Sequence, residues 1–305
     1  MTARPSGPAV LYVTNGFPFP LTSGYLRHYH LIGQLAALGY RVTLLAIVGA
    51  DHRPEHAAAM ADRTVAVETF ASADRARGRR QRLLRRVRRV LPVGGGDPAA
   101  ARLAERAAAI CAAGAIDAVV FSGKRTDRAL ASLGELPVVV DMCDATSLRL
   151  DRELAVAGRT RRLALLVQRW QIRRTEARLL RRADRSLFAS ERDREALLPG
   201  PPDPHAAIVP NGVDLAYWRR DEGGLGRGEL VFTGAMGYGP NVDAAVRLAR
   251  AVLPRVRAVL PDTHLTIVGR DPAPAVSALA ALPLRTLTGA VPPVPPSLTA
   301  AADFV

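Results

Sequence analysis

The chain opens on a run of apolar positions, Val10 to Thr14, followed by a loop-like stretch from Asn15 to Gly24. Beyond it, Tyr25, Tyr29, Ile32 and Leu35 recur at the spacing of one helix face, and Gly39 falls where helices commonly end. A second apolar run, Val42 to Val48, follows at once. Strand, loop, helix, glycine and strand in this order predict a βαβ unit, and hence a parallel sheet with a right-handed crossover.

Further short apolar runs lie at Ala118 to Ser122, Val138 to Asp141, Ser186 to Ala189 and Ala207 to Val209. Each is nearly continuous, as expected of strands covered on both faces. Helical patterns separate them, the longest from Thr160 to Arg182, and Ser190 with Asp193 reads as a helix-opening capping box. The composition changes at the proline-rich stretch 199–204 and again at the glycine-rich stretch 221–228. A domain seam is therefore expected within 205–228, giving domains 1–205 and 206–305. The alternation then restarts: a strand at Leu230 to Thr233, a helix with Asn241 as its N-cap, a strand at Leu265 to Val268, a helix around Pro274 to Ala281, and a strand at Leu284 to Leu287. A last helix from Pro296 to Ala302 leads into what reads as the start of another strand, so the second domain is expected to be incomplete. The expected fold class is α/β, with two Rossmann-like domains on parallel sheets.

Composition narrows the class. Nearly half of the 305 residues are hydrophobic (49%), which argues against global disorder. No apolar run reaches the roughly 18–20 residues that span a bilayer, and the first residues, MTARPSGPAVLYVTNG, do not read as a secretory signal. Cys111 and Cys143 are too few for a disulfide framework and lack metal-ligand spacing. The expected location is the cytoplasm or the inner face of the membrane. The net charge of +14 is carried almost wholly by arginine, with Lys124 the only lysine. Arginines concentrate in the segment Arg75 to Arg89, RARGRRQRLLRRVRR, which reads either as a dock for anionic lipid head groups or as a solvated helix face. They are not interleaved with stacking aromatics, so nucleic acid is not an expected partner.

Candidate chemistry gathers at strand ends. The stretch 17–24 follows a strand and opens a helix, where backbone N–H groups and the helix dipole favour an anion, and Gly24 leaves room for close approach. Asp141-Met142-Cys143-Asp144 closes a strand at its carboxyl end, where parallel sheets bind ligands. Either Asp141 or Asp144 is placed to position or deprotonate a hydroxyl, or to cap the helix that follows. Glu176 reads as one half of a buried ion pair with an arginine, Cys143 as a small core residue, and His28 and His30 as helix surface or core. Gly234 and Gly269-Arg270 end strands of the second domain, and Arg270 is a candidate phosphate contact.

Five segments in order, FPFPLTSG (17–24), VPNGVDLAYW (209–218), LVFTGAMGYGPNVDA (230–244), THLTIVGRDP (263–272) and LTGAV (287–291), resemble family 4-type GT-B glycosyltransferases, closest to those of exopolysaccharide gene clusters. The resemblance implies transfer of a sugar from a nucleotide-diphosphate donor to a hydroxyl of a glycan or lipid-linked acceptor. It further implies retention of configuration, no cofactor and no obligatory metal. Ser23, Gly24, Gly234, Gly269, Arg270, Gly289 and Val291 would line the donor side. Asp141 and Asp144 would face the acceptor. Where relatives carry a basic pair for the diphosphate, this chain has Ala235 or Met236 and Val242. The family's two-glutamate donor segment does not occur within 230–305, so the chain is expected to turn over poorly by itself. An epimerase of the same architecture and a non-catalytic interaction module are the rival readings.

Overall fold

The computed structural model describes residues 7–19, 25–49, 52–72, 97–124, 126–213, 215, 228–282 and 285–288. The chain divides into two compact units, Met1–Gly212 and Val213–Val305.

The first unit is built on β1 (Ala9–Thr14), β2 (Arg41–Val48), β3 (Ala66–Ala71), β4 (Ala118–Ser122), β5 (Val138–Cys143), β6 (Arg185–Phe188) and β7 (Ala206–Ile208). These form one sheet in the order β3-β2-β1-β4-β5-β6-β7, and every neighbouring pair is parallel. Its helices are α1 (Leu26–Ala37), α2 (Pro54–Ala58), α3 (Pro98–Ala112), α4 (Thr146–Val156), α5 (Arg159–Arg182) and α6 (Glu191–Leu197). Alternate residues of β1 feed the two faces of the sheet. Leu11 and Val13 pack with Leu103, Phe121, Leu133 and Leu179, while Tyr12 packs with Ile32, Leu44 and Met60. Each of these large apolar side chains contributes about 1.5–3 kcal/mol by leaving water. Coverage on both faces explains why the strands read as continuous apolar runs.

Local signals shape the connections. Tyr25 is the N-cap residue of α1 and lies outside the helix itself. The helix ends at Gly39, whose φ of +87° suits a residue without Cβ, and Tyr40 N–H donates to the Leu35 carbonyl as in a Schellman motif. Ser190 caps α6 through the Asp193 N–H, as its sequence predicts. The hydropathy pattern does not reveal β3. Its sequence, AVETFA, places Glu68 and Thr69 side by side in the middle, and none of its residues is fully buried, as suits an edge strand partly in water.

The second unit carries β8 (Glu229–Thr233), β9 (His264–Gly269) and β10 (Arg285–Thr288), parallel and ordered β10-β9-β8. After β8, α7 (Gly239–Arg247) passes through a π-helical turn, Leu248–Val252, into α8 (Leu253–Arg257), with Pro254 in the first turn of α8. Proline provides no N–H for the helical ladder, and the wider turn accommodates the missing bond. A short helix, α9 (Pro274–Ser277), follows β9. Leu265, Ile267, Ala245, Leu253 and Val276 form this unit's own core.

Candidate functional site

In the seven-stranded sheet, chain order runs outward from β1 to β3 on one side and from β4 to β7 on the other. The reversal between β1 and β4 is a topological switch point, beyond whose carboxyl ends such sheets bind ligands. The residues just past these strands come together there: a Cβ on Gly123 would lie 2.5 Å from the Asn15 side-chain oxygen.

Beneath this end lies a closed polar network. The Arg27 guanidinium grips Asp141 with two hydrogen bonds, Nε to Oδ2 at 2.9 Å and Nη2 to Oδ1 at 3.2 Å. Its Nη1 donates to the Val209 carbonyl at 2.7 Å and to Asn211 Oδ1 at 3.2 Å. Asp141 Oδ1 also accepts from the Cys143 N–H at 3.2 Å. His28 bridges Tyr12 and Ser122, with Nδ1 2.9 Å from the phenol oxygen and Nε2 3.3 Å from Ser122 Oγ. Burial, outweighing the attraction of Asp141, holds the His28 imidazole neutral by lowering its pKa to about 4. Burial and the Asp141 charge also push Tyr12 well above its ordinary value, so it remains a phenol. One arrangement satisfies every member: Tyr12 donates to Nδ1, Nε2–H donates to Ser122, and the Ser122 hydroxyl donates to the Asp141 carbonyl, 3.4 Å away.

The two sequence-predicted aspartates thus lie in unlike surroundings. The Asp141 side chain is fully buried and committed to Arg27. Asp144 is 61% exposed beyond a bulge in β5, at which Cys143 adopts a φ of +57°. Burial, with Asp141 and Asp144 nearby, raises the Cys143 thiol to about 11, which keeps it protonated at neutral pH.

The loop carrying Asp144 is held from several sides. Lys124 Nζ donates to the Asp144 carbonyl at 2.6 Å and to Thr146 Oγ1 at 2.7 Å, and lies 3.4 Å from Asp144 Oδ1. The Ala145 N–H donates to Asp193. Helix α4 starts after Ala145 without a side-chain cap from its own N-cap residue; Glu176 of α5 instead accepts from the Ser147 N–H at 3.2 Å. The partner of buried Glu176 is Lys124 at 3.3 Å, where an arginine was expected. Lysine's single compact charge fits a position that must serve a carboxylate, a carbonyl and a hydroxyl together. Lys124, which the sequence marks only as the chain's single lysine, and Arg27 are site residues that the motifs do not point to. The available signals were a lone lysine two residues after a strand and an arginine on a helix directly following a glycine-containing loop.

In the second unit, the ends of β8 and β9 approach until backbone meets backbone. A Cβ on Gly269 would lie 1.8 Å from the Gly234 carbonyl oxygen, so only glycine fits. The two loops stay joined beyond the strands, with Met236 N–H donating to the Arg270 carbonyl and Ala273 N–H to that of Met236. Met236 is fully buried, which excludes a charged group from its position. Arg270 is exposed beside the glycine pair. Asn241 is not the N-cap of α7; that position is Tyr238, and Asn241, inside the first turn, donates back to the Ala235 carbonyl at 3.2 Å. Gly239-Pro240 starts the helix earlier because proline is preorganised for a first turn. Ser23, Gly24, Gly289 and Val291 lie outside the described residues, as does the segment Arg75 to Arg89. Among the described residues, no group of three His, Cys, Asp or Glu side chains is placed to hold a metal ion, and no helix is long and apolar enough to cross a membrane.

No family model matches the chain. A stretch of 118 residues, 37% of this chain, is 31% identical to glycogen synthase of Mycobacterium tuberculosis and spans 26% of that protein, so the match covers about a quarter of the curated relative. Among solved structures, sucrose-phosphate synthase from Thermosynechococcus elongatus aligns over 96% of this chain and 72% of its own, with a TM-score of 0.60 and 13% identity. Anabaena Alr3699/HepE, solved with UDP and glucose, aligns over the same shares with a TM-score of 0.58 and 15% identity. A structure titled as a UDP-N-acetylglucosamine 2-epimerase from Listeria monocytogenes aligns over 95% of this chain and 70% of its own, with a TM-score of 0.52 and 13% identity. The chain has an α/β fold of the GT-B class, with a seven-stranded parallel sheet in its first unit.

Proposed function

We propose that this chain is the donor- and acceptor-binding body of a glycosyltransferase. The enzyme would move a sugar, with retention, from a nucleotide-diphosphate donor to a hydroxyl of a glycan or lipid-linked acceptor in cell-surface or exopolysaccharide synthesis. The observation that carries this reading is the backbone contact of Gly234 with Gly269 beside exposed Arg270, which leaves a strand-end surface open to a phosphate-bearing ligand. Support also comes from the motif order in the sequence and from the GT-B fold itself. In this reading Arg270 meets the diphosphate, and leaving-group charge is balanced by arginine and helix N-termini without an obligatory metal. Asp144, exposed at the carboxyl end of β5, meets the acceptor hydroxyl. Asp141 acts through Arg27 as a positioning residue, since neither of its oxygens reaches solvent.

The fold is shared with an epimerase structure, so the reaction itself decides between the two readings. The test offers a panel of nucleotide sugars, with and without hydroxyl acceptors, to the protein and resolves products by NMR. Sugar transfer with the donor's anomeric configuration supports the proposal, and interconversion of free nucleotide sugars without transfer would sink it. Calorimetry adds a check on the site: Arg270→Ala should weaken nucleotide binding by about 10-fold, as expected for loss of a charged hydrogen bond. Unchanged affinity would remove Arg270 from the donor surface.

A further inference from the structure

Helix α5 is apolar on two opposite faces. Leu165, Thr175, Glu176 and Leu179 point inward and are buried. On the other side Leu163, Leu166 and Trp170 stand exposed at 68%, 44% and 51%. At about 100° per residue, Leu163, Leu166, Trp170, Arg174, Ala177 and Arg181 fall within an arc of about 80°, so they form one stripe along the outward face. Single exposed apolar residues are ordinary, but three large ones aligned on one helix face are not.

The same helix carries nine arginines and one acidic residue, the buried Glu176. Arg161, Arg169, Arg173 and Arg178 pair with carboxylates of neighbouring elements. Among the described residues no carboxylate pairs with Arg162, Arg174 or Arg181. Arg174 stacks on the Trp170 ring, 4.7 Å from its centre. Where the apolar part of the stripe ends, Arg174, Ala177, Arg178 and Arg181 line a cavity of about 250 Å³.

We infer that this outward face of α5 docks on an anionic lipid bilayer, with Leu163, Leu166 and Trp170 entering the interface and the arginine-lined cavity taking lipid phosphates. Charge complementarity selects the occupant. A second copy would bring a like-charged stripe, which repels. Nucleic acid would satisfy the arginines but leave two leucines wet, whereas an interfacial helix needs both an apolar face and flanking cations. The inference does not depend on the reaction, because it rests on a surface formed within α5. It also assigns docking to a segment other than Arg75 to Arg89.

Replacing Trp218 by Phe leaves Trp170 as the only tryptophan, since the chain has two. With vesicles of equal parts phosphatidylcholine and phosphatidylglycerol, Trp170 emission should shift to the blue and the protein should cosediment. Pure phosphatidylcholine should give far less binding, and added salt should weaken it. Leu163→Gln with Trp170→Ser, or Arg174→Ala with Arg181→Ala, should each lower partitioning by about 10-fold or more, with circular dichroism unchanged. These positions are exposed, so both pairs are expected to fold. Three outcomes would overturn the inference: no blue shift on anionic vesicles, equal partitioning of the variants and the parent, or a concentration-dependent blue shift without lipid, which would mark self-association.

Discussion

His28 shows how one buried side chain makes stability depend on pH. Its folded pKa, about 4, lies below the ordinary 6.5 because burial disfavours the imidazolium. Between those values the unfolded chain binds a proton that the folded chain refuses. Stability from this residue is therefore complete above about pH 6.5, falls as the pH drops toward about 4, and changes little below that. The whole window is worth about 3 kcal/mol. His28→Gln removes the titrating group, so the stability difference between parent and variant should shrink by up to that amount as the pH falls across the window. Urea unfolding at a series of pH values measures it, and a constant difference would show that His28 is solvated or charged in the folded protein. By sequence alone His28 reads as helix surface or core. Its partners, Tyr12 and Ser122, come from two strands that become neighbours only when β1 and β4 pair, and no local pattern carries that information.

At the scale of elements, the legible parts were those whose cause is local. Gly39 and Ser190 act through their own backbone or side chain, and both helix boundaries were readable from single residues. Strands covered on both faces announced themselves as apolar runs, whereas β3, exposed along one edge, did not. Gly269 stood out in the sequence only as a glycine at a strand end. Its physical reason, the Gly234 carbonyl directly over its missing Cβ, belongs to the pairing of β8 with β9. Gly269→Ala forces those ends apart and should destabilise the second unit by about 1–3 kcal/mol, as overpacking does. Gly212→Ala is the matching control: nothing lies within 4 Å of a Cβ there, no proline follows it, and the change should be neutral or slightly stabilising. Thermal unfolding of the two variants separates the cases, and equal melting temperatures would show that the β8 and β9 ends are not tightly joined.

For the whole molecule, where the first unit ends is a question of unsatisfied groups. Three hydrophobic clusters lie entirely within Met1–Gly212, so this unit has the cores needed to fold alone. Its last residues contribute more than their exposure suggests. Residues 206–208 form β7, whose pairing extends the sheet beyond β6, and Val209 and Asn211 supply acceptors to the Arg27 fork that neutralises buried Asp141. A fragment ending at residue 205, the near bound of the seam expected within 205–228, would leave β6 as an open edge and Arg27 with only part of its hydrogen bonds. A fragment ending at 212 keeps both. The longer fragment should therefore unfold in one cooperative transition. The shorter one should be less stable by several kcal/mol, because Arg27 loses its Val209 and Asn211 acceptors, each hydrogen bond to a charged group being worth about 1.5–3 kcal/mol, together with the pairing of β7. Chemical denaturation of the two fragments decides it. If 1–205 were as stable as 1–212, the Arg27 bridge to residues 209–211 would be an incidental contact, and the Arg27–Asp141 pair would need no help from the end of the unit.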